Sequence, residues 1–292
     1  MDKEILKQYK IKFFTRSFNL KLYTYSKGLY QDEGFPIVRL TDQTADGYFY
    51  TMLKDKDCDI AINVDEDAFI VNTDTLWELV GYVIENCYAN AGCPDGGGWT
   101  TRNANPIITN PFFNVFNLKK IREKFSKEEI KHFDYQSVKK TLIERYPQDV
   151  MARPGDFERY DYEPYCNFFF WTAYNFQTLY LPTIRHEDGI STILLNHNGE
   201  VICMHSWYAR FYNVPSFFVK FFQKNADMQK QRINNLIAET YEKRNLPMPE
   251  FSFWNKLTFV IDRIVRWCIK VPQRMAGWPK KLKKKFKKMR TK

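Results

Sequence analysis

Asp65 and Asp67 stand one residue apart at the end of the apolar run I-A-I-N-V (60–64), and A-F-I-V follows them. Burying an ionised carboxylate without a partner is costly, so two of them at the end of a core strand call for a counter-charge. Alternate side chains of a strand share a face, which puts Asp65 and Asp67 on one side and Glu66 on the other. Two carboxylates so placed can hold a hard divalent cation, Mg²⁺ or Mn²⁺, and leave room for water and substrate phosphates. The carboxyl ends of strands are also where open α/β sheets bind ligands. Glu66, facing away, is expected to matter less. The same D-x-D spacing at Asp55, Asp57 and Asp59 precedes the strand and reads as a solvated turn.

The elements that must position this pair follow from local pattern. K-I-K-F-F-T and P-I-V-R-L-T-D predict strands near 11–15 and 36–42. Residues 46–54 carry bulky side chains at helical spacing, 60–64 form a third strand, and a helix starts near Thr73, capped by Thr73 or Asp74. Strands alternating with helices over the first 90 residues predict an α/β sheet, mostly parallel. Residues 92–106 contain three consecutive glycines and read as a flexible surface loop or a substrate lid. It is not a phosphate-binding P-loop, because no G-K-[ST] follows. Residues 117–145 are helical in pattern. The acidic turn 155–164, with Asp156, Glu158, Asp161 and Glu163, leads through Pro164 into an aromatic helix. Residues 189–207 predict a hairpin turning at Asn196–Gly199, whose second strand ends at His205. Long helical patterns cover 215–243 and 253–270.

Charge is distributed unevenly. The 292 residues carry a net charge of +10, from 44 Lys and Arg against 34 Asp and Glu. Ten of those cations and no acid lie in residues 271–292, so residues 1–270 are neutral overall (34 against 34). A nucleic-acid enzyme more often spreads basic charge over its body, and the tail has little aromatic interleaving after Trp278. Directly before the tail, Phe253, Leu257, Val260, Ile261, Ile264, Val265 and Cys268 form one stripe of an amphipathic helix. A basic amphipathic helix followed by ten cations predicts interfacial binding to anionic lipid, each cation contributing about 1 kcal/mol near such a surface. Six cysteines without a C-x-x-C pair predict reduced thiols in a cytoplasmic compartment. The charged N-terminus has no signal region, and no run of apolar residues is long enough to span a membrane.

An apolar strand ending in D-x-D, after two strands and a helix, resembles the GT-A-fold glycosyltransferases over residues 8–210. The resemblance implies a Rossmann-like, mixed, mostly parallel sheet flanked by helices. It implies a catalytic domain over residues 1–212, with a C-terminal helical extension and membrane-binding tail over 213–292. It also implies a nucleotide-sugar donor, with a UDP-sugar favoured, whose diphosphate is held through a metal on Asp65 and Asp67. Family members often add a ligand from a later strand, commonly a histidine, which points to His205 as the third ligand, with His186 and the turn residue His197 competing, and favours Mn²⁺ over Mg²⁺. By position, Thr15, Arg16 and Asp42 would meet the base and ribose, with Asp65 also on the donor side. Asp161 and Glu163 would be the acceptor-side acids, with Glu187–Asp188 a second candidate pair. Trp99, Trp171 and Trp207 could stack on a sugar ring. The implied activity is metal-assisted sugar transfer to a glycan or lipid-linked glycan acceptor in polysaccharide biosynthesis, by a peripheral protein on the cytoplasmic membrane face.

Two other classes compete. A haloacid-dehalogenase-like phosphatase also carries D-x-D after an apolar strand, but its motif continues D-x-D-x-[TV], Phe69 fills the last position, and no later G-D-x-x-[ND]-D is present. A non-catalytic carbohydrate-binding protein at a membrane surface leaves the strand aspartates unexplained.

Overall fold

In the computed structural model the apolar runs of the N-terminal half become the centre of a six-stranded sheet. The structure describes residues 6, 8–96, 103–147, 150, 155–212, 225–266 and 268–269. The sheet comprises β1 (Ile11–Arg16), β2 (Ile37–Leu40), β3 (Ile60–Val64), β5 (Asn90–Gly92), β6 (Phe113–Asn117) and β7 (Thr178–Tyr180), in the order β2-β1-β3-β6-β5-β7. Five strands run one way and β6 runs against them. The protein is therefore a mixed α/β fold around a mostly parallel sheet flanked by helices. A second, antiparallel sheet has the order β4-β10-β9-β8, from β4 (Ala68–Ile70), β8 (Thr183–Arg185), β9 (Thr192–Leu195) and β10 (Val201–His205).

The large sheet is covered on both faces, which is why its strands read as near-continuous apolar runs. Phe13, Ile60, Ile62, Val64 and Val115 point into one core, shared with α3 (Thr73–Glu85) and α8 (Ala226–Lys243). Phe14, Ala61 and Phe116 point into the other, with α2 (Gly47–Lys54) and the aromatic helix α7 (Cys166–Asn175). Ile233, Leu236, Ile237 and Tyr241 of α8 lie in the same core as β1 and β3, so residues 226–243 belong to the body rather than to an extension beyond residue 212. The pattern over 117–145 resolves into three short helices, α4 (Leu118–Arg122), α5 (Lys127–Lys131) and α6 (Tyr135–Arg145).

Capping differs in detail from expectation. α3 is capped by Asn72, whose side chain accepts from the Asp74 and Thr75 amides, not by Thr73 or Asp74. Pro164 precedes α7 by two positions instead of opening it. The expected hairpin turns at 196–199, where Gly199 takes a positive φ of 84°. The flanks of the expected surface loop are core: Cys93–Gly96 and Ala104–Asn110 are buried. Gly92 needs its missing Cβ there, since a methyl would meet the Phe113 carbonyl at 3.0 Å and Asn114 Oδ1 at 2.6 Å. The triple glycine and Trp99 of the expected lid lie wholly or partly outside the described residues, as does the basic tail.

A helix over 253–266 follows the body. No helix of the described residues is long and apolar enough to cross a membrane.

Candidate active site

The chain leaves the large sheet at Val64 and enters the small one at Ala68, and Asp65, Glu66 and Asp67 are the turn between them. The Asp65 amide donates to the Phe112 carbonyl (2.8 Å), and the Ala68 amide closes the turn on the Asp65 carbonyl (3.0 Å). The D-x-D is thus a tight inter-sheet turn at the carboxyl end of β3. In the small sheet β4 pairs with β10 so that Ala68 faces His205, and the Ser206 amide donates to the Asp67 carbonyl (2.9 Å). This register brings His205 Nε2 to 3.3 Å from Asp67 Oδ2, across 138 residues of sequence.

A cavity of about 240 Å³ opens here, lined among others by Arg16, Asp65, Asp67, Asn110, Glu163 and Trp207. Arg16, at the carboxyl end of β1, donates through Nη2 to Asp65 Oδ2 (2.7 Å) and lies over the Tyr48 ring at 5.1 Å. Asp65 Oδ1 is buried without a hydrogen-bond partner. The His205 ring is stacked on Phe112 (centroids 4.1 Å apart) and also packs on Trp207 (4.6 Å), and its Nδ1 is likewise buried without a partner. Trp207 and Tyr208, the next lining residues, both adopt left-handed backbone (φ 56° and 57°), a strain that clusters at functional sites. Arg232 of α8 holds that segment, donating to the Ser206 carbonyl and, at 3.3 Å, to the Trp207 carbonyl, while pairing with Asp188 at 3.0 Å.

The electrostatics separate the three acids of the turn. Burial pushes Asp65 up to about 6, against the lowering effect of Arg16. Burial also raises Asp67, but the neighbouring His205 outweighs it and holds Asp67 below its ordinary value. Glu66 is pushed up to about 8 by burial, although its Oε2 accepts from Ser17 Oγ (2.9 Å) and from the Phe18 and Asn19 amides (2.8 and 2.7 Å). Glu66 is also among the residues lining the cavity rather than on a separate face, and it is not dispensable: it is the acceptor that shapes the turn between β1 and α1 (Leu20–Gly28).

The structure gathers Arg16, Asp65, Asp67, Glu163, His205 and Trp207 around one cavity, and it leaves others elsewhere. Thr15 is fully buried and bonded to the Tyr30 hydroxyl (2.9 Å), because alternation in β1 turns it into the core. Asp42 sits at a left-handed turn after β2 and pairs with Arg266 of the 253–266 helix. Asp161 is exposed and does not line the cavity; the chain between it and α7 turns Glu163 and Tyr165 inward instead. Trp171 is core. Asp188 is absorbed by Ser191 and Arg232, which hold it well below its ordinary value despite its burial. Sequence reasoning missed Phe112, Tyr165 and Asn110 as lining residues. It also missed Asp95, buried behind Asn110 and accepting from it (2.8 Å) and from the Tyr162 hydroxyl (2.9 Å). Asn110 and Phe112 lie in the N-P-F-F stretch at 110–113, which carries no chemical signature.

A divalent cation fits the donor set in part. Two carboxylates and an imidazole share the cavity, and Asp65 Oδ1 is the orphaned buried oxygen that such an ion would satisfy. As the side chains stand, Arg16 supplies the counter-charge, so an ion would take Asp65 through Oδ1 or displace Arg16. Among the described residues a tighter group is His186, Glu187 and Glu239, whose ligand atoms lie within 4.8 Å of one another. There, the Asp188 amide donates to His186 Nδ1 (3.1 Å), so Nε2 carries the ring proton and donates to Glu239 (2.9 Å). That imidazole is already satisfied on both nitrogens and has no lone pair left for a metal.

No known family profile matches the chain, and no curated protein matches it. Among solved structures, the crystal structure of A197 from STIV is similar over 66% of this chain and 93% of that one, at 13% identity and a TM-score of 0.34, a likeness too low to carry an argument.

Proposed function

We propose that the protein is a metal-dependent glycosyltransferase of GT-A-like fold, moving a sugar from a nucleotide-sugar donor, a UDP-sugar favoured, to a glycan or lipid-linked glycan. One observation carries the reading: the turn between the two sheets brings Asp65, Asp67 and, through the β4–β10 register, His205 into one cavity beside Arg16. Asp65 and Asp67 would hold Mn²⁺ or Mg²⁺ with His205 as the third ligand, and the ion, when bound, supplies charge neutralisation for the departing nucleoside diphosphate. Arg16 adds a fixed cation on the same side, suited to a phosphate oxygen once Asp65 turns to the metal. The cavity is smaller than the roughly 300–1,000 Å³ of complete small-molecule sites, so it suits the diphosphate end of the donor. Glu163 is the acid placed to meet an acceptor hydroxyl, and the Trp207 ring offers a face for a sugar.

The test is nucleotide-sugar hydrolysis over UDP-, GDP- and CMP-sugars with Mn²⁺, wild type against Asp67→Asn. Turnover with one donor, falling at least ~100-fold in the variant and on chelation, is expected. An absence of both binding and turnover with every donor would sink the reading.

A further inference from the structure

The helix over 253–266 meets the body along a single edge. Phe259, Asp262 and Arg266, spaced three and four apart, are its sheltered side chains. Asp262 accepts both ends of the Arg39 guanidinium (2.9 and 3.0 Å), Arg266 pairs with Asp42, and Phe259 packs edge-on against Phe251 (4.9 Å). At about 100° per residue the opposite side carries Phe253, Leu257, Val260, Ile261 and Ile264, with Trp254 beside them, and all are exposed. Phe253 and Trp254 are 71% and 72% exposed. A helix held by ion pairs with its apolar face turned outward is the reverse of a core helix, and a contiguous exposed patch of this kind marks an interaction surface.

Charge identifies the occupant. Lys256 and Arg263 flank the apolar face, and both, with Lys230 of α8, stand close enough to Lys21 of α1 to act on its charge. Lys21 is held over the rings of Tyr25, Tyr212 and Phe251 at 5.6–5.8 Å, so the collar is built rather than splayed. The sequence adds ten more cations immediately afterwards, in 271–292. A second copy of this chain would bring the same positive collar against itself, and an aqueous protein partner leaves the one-signed charge unexplained. An apolar stripe with a basic collar matches an anionic bilayer interface, where acyl chains take the stripe and headgroup phosphates take the cations.

We propose that this outward face and the collar Lys21, Lys230, Lys256 and Arg263 form a seat for an anionic lipid bilayer. The helix docks on Arg39 and Asp42 at the end of β2, beside the strand whose Arg16 lines the cavity, so the seat would hold the site at the membrane. That purpose rests on the reading of a membrane-proximal acceptor; the binding itself does not, and it is read without donor or metal.

The experiment is co-sedimentation of the full chain with phosphatidylcholine vesicles, with and without phosphatidylglycerol, at low and high salt. Wild type is expected to pellet with the anionic vesicles and to stay partly bound at high salt, since the apolar contact is not screened. Trp254→Asp with Ile261→Asp, both at exposed positions, should release it at high salt. Lys256→Glu with Arg263→Glu should weaken binding at low salt by about fivefold or more per charge. Three results overturn the proposal: no pelleting of wild type, pelleting at high salt unchanged by the apolar pair, or concentration-dependent self-association that the apolar pair abolishes while vesicle binding stays intact. Sugar transfer without vesicle binding would overturn the seat and leave the catalytic reading standing.

Discussion

Asp65 shows how far a single residue's environment departs from its motif. The pair Asp65–Asp67 reads in sequence as two equivalent ligands, yet one is paired with an arginine and the other with an imidazole. Arg16 is therefore the residue on which Asp65's burial depends. Removing it as Arg16→Gln leaves a buried carboxylate uncompensated and should cost about 3 kcal/mol in urea unfolding, the lower end of the range because Arg16 keeps some exposure. Mn²⁺ should then raise the variant's melting temperature more than that of wild type; equal gains would refute a shared site. The pH dependence follows from the same burial. Asp65 and Glu66 titrate in the folded protein at about 6 and about 8, above the ordinary carboxylate value of about 4. Raised carboxyls favour folding while protonated, so their contribution is full in acid and is lost as pH rises through about 6 and then about 8. Asp67 is lowered and has the opposite sign, losing its contribution as pH falls. Between pH about 5 and about 9 the metal-free melting temperature should decline, and Asp65→Asn with Glu66→Gln should flatten the decline. A profile that the double substitution leaves unchanged would contradict this assignment.

At the scale of elements, the turn between the sheets is held from behind by Glu66 and from the side by β10. Glu66→Ala strands the Ser17 hydroxyl and the Phe18 and Asn19 amides, each buried or half-buried. It should cost about 3 kcal/mol or more, whereas Glu66→Gln keeps an acceptor and should cost less than half as much. Urea midpoints of the two variants decide it, and equal losses would show that the carboxylate does not shape the β1–α1 turn. This is where sequence reading ran short. Strand alternation does not govern Glu66, which lies in the turn and lines the same cavity as Asp65 and Asp67, and no local pattern says that a loop 48 residues earlier needs an acceptor there. The long strands β1 and β3, the helix over 47–54 and the 192–205 hairpin were legible because period and turn chemistry are local. β4, β5, β7 and β8 are three residues long each and escape any periodicity. Thr15 and Asp42 were placed by analogy of position, and burial in one case and an ion pair in the other took them out of the site. His205 was legible because a polar residue ends an apolar strand; its partner followed from register alone.

For the whole molecule, the 253–266 helix and the cavity are joined by polar contacts rather than by a packed core. Asp262 accepts from Arg39, Arg39 Nε donates to Ser17 Oγ (3.0 Å), and Ser17 donates to Glu66, whose neighbours on either side are Asp65 and Asp67. In the proposed seat, a bilayer on the outward face of the helix would act on Asp262, three contacts away from the turn. Coupling through such a network requires that it have two arrangements, and the Arg39–Asp262 fork is the joint that links it to the helix, beside the Asp42–Arg266 pair. Asp262→Asn weakens that joint without touching the apolar face or the basic collar. Vesicle pelleting should stay at the wild-type level, and donor turnover in solution should be unchanged. What should disappear is any rise in turnover when anionic vesicles are added. Stimulation equal to wild type would mean that the bilayer only concentrates enzyme and acceptor, and loss of pelleting would mean that the fork holds the seat in place instead of reporting on it.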